Sequence, residues 1–373
     1  MPERPLTILQ LTHQGGGSGS TAVIAQLSRQ LALRGHRVLV GCPPDTPLAG
    51  LVRAAGLGLV PLDFRRLGPL ARALDSVMAR EAVDLVNSHA TRDRRALTWL
   101  RWRHRLPRAL VVTRHTMPLT SPPELVAVGV SADRTIAVSQ AVARALRHRL
   151  HPVARLRVVP NGIDLARVDA APSGADLAAA RAALGELAGR PVVLVLARRK
   201  DQHVLLRALA ALEHPVVVAC VGIEADAELR GAERTVPARH RVVYVPFTER
   251  PLAFCRLAAV SALPSRIEGL SIALLETMAL GLPVVASNAG GNPDLITSGE
   301  TGVLVPPLEP LAWASALARV LDDGGFAERL ARAGRALVRR DFTLERSAER
   351  TEAVYREALD RRVPQRDARA RRR

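Results

Sequence analysis

The sequence predicts an α/β protein of two doubly wound domains, each a mainly parallel sheet with helices on both faces. Three observations carry that expectation. The chain has 373 residues, enough to bury two ordinary α/β cores. Short β-rich runs alternate with helix-periodic segments along its length. The alternation is broken once, at Pro160-Asn161-Gly162-Ile163-Asp164, a turn signal that follows a strand and precedes a polar, Ala-rich stretch around Pro172-Ser173-Gly174.

The elements follow in order. Leu6–Leu11 reads as a buried strand, then comes Gly15-Gly16-Gly17-Ser18-Gly19, then a helical pattern from Thr21 to Arg34 that stops at Gly35. Further strands are expected at His36–Gly41, Gly58–Leu62, Val83–Asn87, Ala109–Thr113, Arg134–Val138 and Arg157–Val159. After the turn a second series begins with strand Pro191–Ala197 and helix Gln202–Leu212. Strands Pro215–Val221, Arg241–Val245 and Ala258–Leu263 lead to helix Leu270–Leu280, and strands Pro283–Ala286 and Gly302–Val305 close the series. The expected organisation is therefore a first domain over residues 1–165, a second over 166–345, and a C-terminal helix with an Arg-rich tail over 346–373. Open α/β sheets bind ligands at the carboxyl ends of their strands, so a cleft between the two domains is the expected site.

About half the residues are apolar, and the longest apolar stretches are strand-sized, short of the ~20 residues of a membrane span. The first eleven residues do not have the order of a secretory signal. Cys42, Cys220 and Cys255 are odd in number and widely spaced, which fits a reducing, cytosolic setting and offers no metal-ligand spacing. The net charge of +18 is uneven: residues 1–165 carry 23 Arg against 10 acids, residues 166–360 are nearly balanced, and the tail is basic again. That asymmetry fits an anionic membrane surface or a charged glycan lipid beside the first domain, or solvated Arg-rich faces. Nucleic acid is not expected, because Trp99 and Trp102 sit in a basic run without a recognition motif.

The segment from Pro264 to Glu276 carries the chemistry. Glu268 and Glu276 lie eight positions apart, but so do Glu349 and Glu357, which fall in a charged helical stretch with no strand before it and read as a solvated face. Context separates the pairs. Glu268 follows a buried strand, and Gly269 then opens an apolar-periodic helix. The unpaired N–H groups of Gly269, Leu270 and Ser271 would face a diphosphate, helped by the helix dipole. Glu276 would sit nearly two turns on, roughly 9 Å along the axis at ~1.5 Å per residue. Carboxylates accept hydrogen bonds from hydroxyls, so one can hold a sugar and the other a ribose.

Glu268-Gly269-Leu270-Ser271, Leu275-Glu276, Met278-Ala279, Gly281-Leu282-Pro283-Val284-Val285-Ala286, Gly290-Gly291 and Gly302-Val303-Leu304-Val305-Pro306 together resemble the family-4 retaining glycosyltransferases of the GT-B fold. The Gly15–Gly17 loop with Arg34-Gly35-His36-Arg37-Val38, the turn at 160–164, and Arg198 with Lys200 extend the resemblance over nearly the whole chain to Val305. It implies transfer of a sugar, with retention, from a nucleoside-diphosphate sugar to a glycan or lipid-linked acceptor, with no cofactor and no metal; the basic first domain alone points to cell-envelope glycan or glycolipid synthesis. Glu268 would contact the transferred sugar and Glu276 the ribose. Arg198 and Lys200 would neutralise the departing diphosphate; Lys200 is the sole lysine of an Arg-using chain, as a need for a compact point charge would explain. Gly16 and Gly17 would let the first-domain loop approach the ligand. His115 would lie near the reacting sugar, with His89 as a weaker candidate and Asp93 and Arg114 as acceptor-side ones.

Two positions depart from the family pattern: Asp201 stands where a glycine is common, and Asp294 where a glutamate is usual. The rival readings are a nucleotide-sugar epimerase on the same fold, a non-catalytic anionic-surface or glycan-binding protein, and an oxidoreductase. The last is disfavoured because the Gly15–Ser20 run lacks the dinucleotide spacing.

Overall fold

A computed structural model describes residues 4–16, 19–103, 106, 108–118 and 122–361. The chain forms two compact units: the segment up to Gly162 together with the segment from Leu344 onward, and Ile163–Thr343 between them.

The first unit holds β1 Thr7–Leu11, α1 Gly19–Leu33, β2 Arg37–Cys42, α2 Pro47–Ala54, β3 Gly58–Pro61, α3 Leu67–Arg80, β4 Leu85–Ser88, α4 Thr91–Trp102, β5 Ala109–Arg114, α5 Pro122–Ser131, β6 Arg134–Ala137, α6 Gln140–Arg147 and β7 Leu156–Val158. Its sheet has the order β3-β2-β1-β4-β5-β6-β7, and every neighbouring pair is parallel. Strand order reverses between β1 and β4, so the loops after those strands part and leave a crevice at their carboxyl ends. The strands are apolar on both faces because both are covered: Leu9, Val86 and Val112 pack under α3 and α4, while Ile8, Leu85 and Val111 pack on the other side.

The second unit holds α7 Leu165–Asp169, α8 Gly174–Leu184, β8 Val192–Leu196, α9 Gln202–Ala208, β9 Val217–Val221, α10 Ala227–Glu233, β10 Arg241–Val245, α11 Pro251–Cys255, β11 Val260–Leu263, α12 Ile272–Ala279, β12 Val284–Ser287, α13 Asn292–Leu295, β13 Val303–Val305, α14 Pro310–Asp322 and α15 Gly324–Asp341. Its sheet order is β10-β9-β8-β11-β12-β13, again all parallel, and the reversal lies between β8 and β11. Trp313 of α14 is fully buried in this core among Val193, Val218 and Val285.

The C-terminal helix α16, Leu344–Asp360, corrects the sequence reading. Residues from 346 onward were expected to stand apart, with the Glu349/Glu357 stretch as a solvated face. Instead α16 belongs to the first unit, where Ala348, Val354, Tyr355 and Ala358 join the core of Leu6, Ile8, Leu31 and Ile136. Only one side of the helix is charged, and the apolar positions repeat at the helical period. Glu349 is exposed, but Glu357 bonds Arg134 at 2.8 Å and Arg157 at 2.7 Å. Partial burial pushes the Glu357 carboxyl up, and the bonds from Arg134 and Arg157 outweigh it, leaving it below its ordinary value.

Candidate functional site

In the second unit, the loops after β8 and β11 flank the reversal of strand order, and they carry the candidates Arg198, Lys200 and Glu268. Lys200 Nζ lies 2.8 Å from Glu268 Oε1 and 3.4 Å from the carbonyl oxygen of Ile267. Two residues 68 positions apart in sequence therefore form one ion pair, with Glu268 largely buried and Lys200 partly exposed. Arg198 is exposed at the same edge. Arg199 is turned away: its guanidinium bonds Asp226 at 2.6 Å and also Glu228, both at the start of α10. Of the three consecutive cations, Lys200 meets Glu268 and Arg199 anchors the loop.

Asp201, read from the sequence as a departure, is what holds the two loops together. Its carboxylate accepts from the backbone N–H of Arg266 at 2.7 Å and from the Arg266 side chain at 3.0 Å, while its own N–H donates to the Pro264 carbonyl. A glycine could supply only the last of these bonds. The Gly290-Gly291 turn supports the same segment from the other side. Gly291 N–H donates to Glu268 O at 3.3 Å, and Gly290 has a φ of +55° with no room for a side chain. Asp294 lies in α13 immediately beyond that turn.

The helix after Glu268 begins later than the sequence suggested. Gly269 and Leu270 are buried loop residues, and Ser271 is the N-cap of α12, its hydroxyl accepting from Leu274 N–H at 3.3 Å. The helical N–H groups left without helical partners are thus those of Ile272 and Ala273, two or three positions on from the predicted Gly269–Ser271 cradle. The apolar pattern misled because Leu270 and Ser271 are buried without being helical.

Glu276 lies in the middle of α12, buried, and bonds the guanidinium of Arg167 from α7. Burial pulls the Arg167 guanidinium below its ordinary value. Sequence reasoning missed Arg167 altogether. It follows the Pro160–Asp164 turn, in which Asp164 caps α7 by accepting from Arg167 N–H at 3.3 Å, and that capped turn was the one available signal. A cavity of about 490 Å³ adjoins the β8 loop, lined among others by Arg199, Lys200, Asp201, Asp226 and Arg266.

In the first unit the corresponding edge gathers the loops after β1, β4 and β5. Gly15 is buried where a side chain would strike Thr46, whereas a β-carbon on Gly16 would meet nothing within 4 Å. Gly16 is thus the residue whose bareness leaves surface open, and Gly17 lies outside the described residues. His115 directly follows β5, and its Nε2 is 2.9 Å from Nδ1 of His89. Both rings line a cavity of about 260 Å³ with Thr12, Gln14, Arg94 and Arg114. Burial and the charge of Arg94 lower His115 to about 4; burial, His115 and Arg94 hold His89 well below its ordinary value. Both imidazoles are neutral at pH 7.

Asp93 is committed to structure. Its carboxylate accepts from Ser88 Oγ at 2.6 Å and from the N–H groups of His89 and Ala90 at 3.0 and 2.9 Å, and it also meets His13 Nδ1 at 3.2 Å. These bonds cap α4 and fix the His89 loop, so Asp93 acts by holding His89 in place. The three cysteines are buried, and burial raises the Cys220 and Cys255 thiols to about 12, which leaves them unreactive.

Known proteins match this arrangement along the chain. The family described as glycosyl transferases group 1 matches residues 180–337, and Glycosyltransferase Family 4 matches residues 17–167. A D-inositol 3-phosphate glycosyltransferase of Xylanimonas cellulosilytica is 31% identical over 93% of this chain and 94% of its own length. A GDP-mannose-dependent alpha-(1-6)-phosphatidylinositol monomannoside mannosyltransferase of Mycolicibacterium smegmatis is 33% identical over 56% of this chain and 58% of its own. Among solved structures, Anabaena HepE in complex with UDP and glucose superposes with a TM-score of 0.80 at 22% identity, covering 93% of this chain and 98% of that one. With both sheets wound as that likeness requires and both halves of the chain matched in order, this protein belongs to the family-4, group 1 glycosyltransferases and has their GT-B fold.

Proposed function

We propose that this glycosyltransferase moves a sugar, with retention of anomeric configuration, from a nucleoside-diphosphate sugar to a glycan or lipid-linked acceptor of the cell envelope. The observation that carries this reading is the Lys200–Glu268 pair at the β8/β11 crevice, 2.8 Å apart, beside exposed Arg198. A cation there meets charge on the departing diphosphate, and a carboxylate there accepts from sugar hydroxyls. Glu276, one element further on, is the ribose partner in this reading, with Arg167 released from it when donor binds.

The proposed step is front-face displacement. The bond from the anomeric carbon to the β-phosphate oxygen breaks while the acceptor oxygen bonds to the same face. The acceptor proton passes to the β-phosphate oxygen, and the nucleoside diphosphate leaves. Lys200, Arg198 and the α12 start neutralise the developing charge, and neither a metal nor a covalent enzyme intermediate enters the scheme. The relatives' names, which speak of inositol phosphate and phosphatidylinositol monomannoside, support an acceptor bearing polyol hydroxyls and a phosphate.

A second element concerns location. Among the described residues no helix is long and apolar enough to cross a membrane. Trp102, Val130, Leu150 and Val153 are nonetheless exposed on the first unit, beside Arg103 and Arg147. Trp102 Nε1 donates to Ser131 Oγ at 3.0 Å, and the Arg155 guanidinium reaches the carbonyl oxygens of Gly129 and Val130, which gathers these side chains into one region. An aromatic and aliphatic patch ringed by arginine supports peripheral docking on an anionic cytoplasmic membrane face.

The test is a thermal-shift screen of nucleoside diphosphates and their sugars, followed by product analysis with the best donor and phosphorylated polyol or lipid acceptors. A donor raises the melting point by mass action. A donor that stabilises the protein and yields new glycoside of retained configuration is expected. Epimerised sugar nucleotide from donor alone, or glycoside of inverted configuration, would overturn the reading.

A further inference from the structure

Beneath His115 runs a chain of buried polar groups contributed by residues far apart in the sequence. His89 Nε2 is 2.8 Å from Gln10 Oε1, Gln10 Nε2 is 3.1 Å from Tyr355 Oη, and Asn87 Nδ2 is 2.8 Å from the same phenol oxygen. Asn87 Oδ1 in turn accepts from Thr113 Oγ1 at 3.0 Å. Gln10, Asn87 and Tyr355 are fully buried, and His89 nearly so. The members come from β1, β4, β5 and α16, so the chain exists only once the sheet and the C-terminal helix have met.

The direction of these bonds follows from donor and acceptor counts. The Tyr355 oxygen receives the amide N–H groups of Gln10 and Asn87, and its own O–H lies 3.5 Å from Gln10 Oε1, so Gln10 presents its carbonyl oxygen to His89. A carbonyl oxygen only accepts, so His89 carries its proton on Nε2 and leaves Nδ1 bare. The bare Nδ1 of His89 then accepts from Nε2–H of His115. His115 is left with a lone pair on Nδ1, an atom buried without a hydrogen-bond partner among the described residues. Reversing the Gln10 amide would reverse every proton and put an N–H on that buried Nδ1, and an orphaned buried N–H is rarer and costlier than an under-used acceptor.

We infer that His89, Gln10 and Tyr355 are positioning residues that fix the His115 ring, at the wall of the first-unit cavity, as the neutral Nε2–H tautomer, whose covered Nδ1 lone pair accepts a substrate hydroxyl once a bound ligand uncovers it. His115 then acts as a fixed acceptor that orients a hydroxyl, and the proton of the transfer step goes elsewhere. The inference rests on the glycosyltransferase reading for what fills the cavity, but the tautomer itself does not.

The experiment uses the full chain labelled with 15N, with long-range 1H–15N correlation spectra of the imidazoles at pH 7 and, on the same preparations, steady-state kinetics. Wild type should show His89 and His115 both as Nε2–H tautomers. His89→Phe removes the acceptor, and His115 should relax to a mixture of tautomers while kcat falls about 10- to 100-fold with the donor KM little changed. His89→Asn places an amide oxygen where ring Nδ1 stood and should restore the single tautomer and most of kcat. Tyr355→Phe removes only the hydroxyl, and it carries the test if His89→Phe fails to fold: both rings should then show mixed tautomers. An Nδ1–H tautomer for His115 in wild type, or an unchanged spectrum and kcat in the folded variants, would refute the inference. The expected tautomers in a protein that transfers no sugar would instead leave the chain standing and remove the proposed function.

Discussion

A methyl group at position 290 would land 2.2 Å from the carbonyl oxygen of Glu268, and the φ of +55° there already disfavours any side chain. The glycine thus sets where Glu268 stands. Gly290→Ala should cost about 1–3 kcal/mol of stability through strain and should lower kcat as well, because Glu268 is pushed from its place; unchanged kcat in the folded variant would separate the two. Glu268→Ala should reduce transfer by roughly 10²-fold or more, in line with loss of a preorganised polar contact, with the melting point nearly unmoved, whereas Glu349→Ala on the exposed side of α16 should change neither. The buried histidines make a prediction about pH. His115 and His151 are lowered to about 4, chiefly by burial and then by neighbouring arginines, and burial holds His89 well below its ordinary value. A histidine whose folded pKa lies below its unfolded value binds its proton more readily in the unfolded chain. These groups therefore stabilise the fold fully above about pH 6.5, and that contribution is lost as pH falls toward 4. The unfolding midpoint should drop over that window, and His151→Phe should flatten the drop if the variant packs; a midpoint constant from pH 7 to 4.5 would contradict the burial. At this scale residue type, local context and the family resemblance made Glu268, Lys200 and His115 candidates. Arg167, Gln10 and Tyr355 stayed hidden, because an arginine, a glutamine and a tyrosine carry no distinguishing local pattern until the fold supplies their partners.

Among the elements, α16 is the one whose role differs most from its sequence. Its charged side suggested a solvated helix, yet its other side buries Tyr355 and three small or branched residues against β1, α1 and β6. Tyr355→Ala removes a fully buried ring and should cost about 3–5 kcal/mol, while Glu357→Ala, whose side chain is 39% exposed, should cost no more than about 1 kcal/mol. Chemical denaturation followed by hydrogen exchange should place the Tyr355→Ala loss in the first unit, sparing β8–β13; uniform loss of protection across both sheets would argue against the division at Gly162. The strands were legible for a simple reason. Strands in a sheet covered on both faces are short continuous apolar runs bounded by turn residues, and such runs stand out. Helix boundaries were less so: α12 starts at Ile272 because Ser271 turns its hydroxyl back to cap it, and the apolar pattern runs straight through that cap.

Across the whole molecule, the surplus of arginine lies in the first half of the chain, and the exposed Trp102, Leu150 and Val153 lie there too. If this face docks on anionic lipid, vesicles containing anionic lipid should sediment the protein at low salt, high salt should release it, and Trp102→Ala should weaken binding several-fold. Binding indifferent to salt and to Trp102 would assign the charge to solvated surface instead. The two doubly wound sheets and the glycosyltransferase family were determined by the sequence itself, because apolar periodicity and the glycine-marked loops are local properties of the chain. Only the tertiary structure decided that Asp201 and Gly290 hold the Glu268 loop, that Arg167 meets Glu276, and that Tyr355 meets Gln10 and Asn87. Each of those contacts joins residues far apart in sequence, and the distances that create them exist only after the strands have chosen their neighbours.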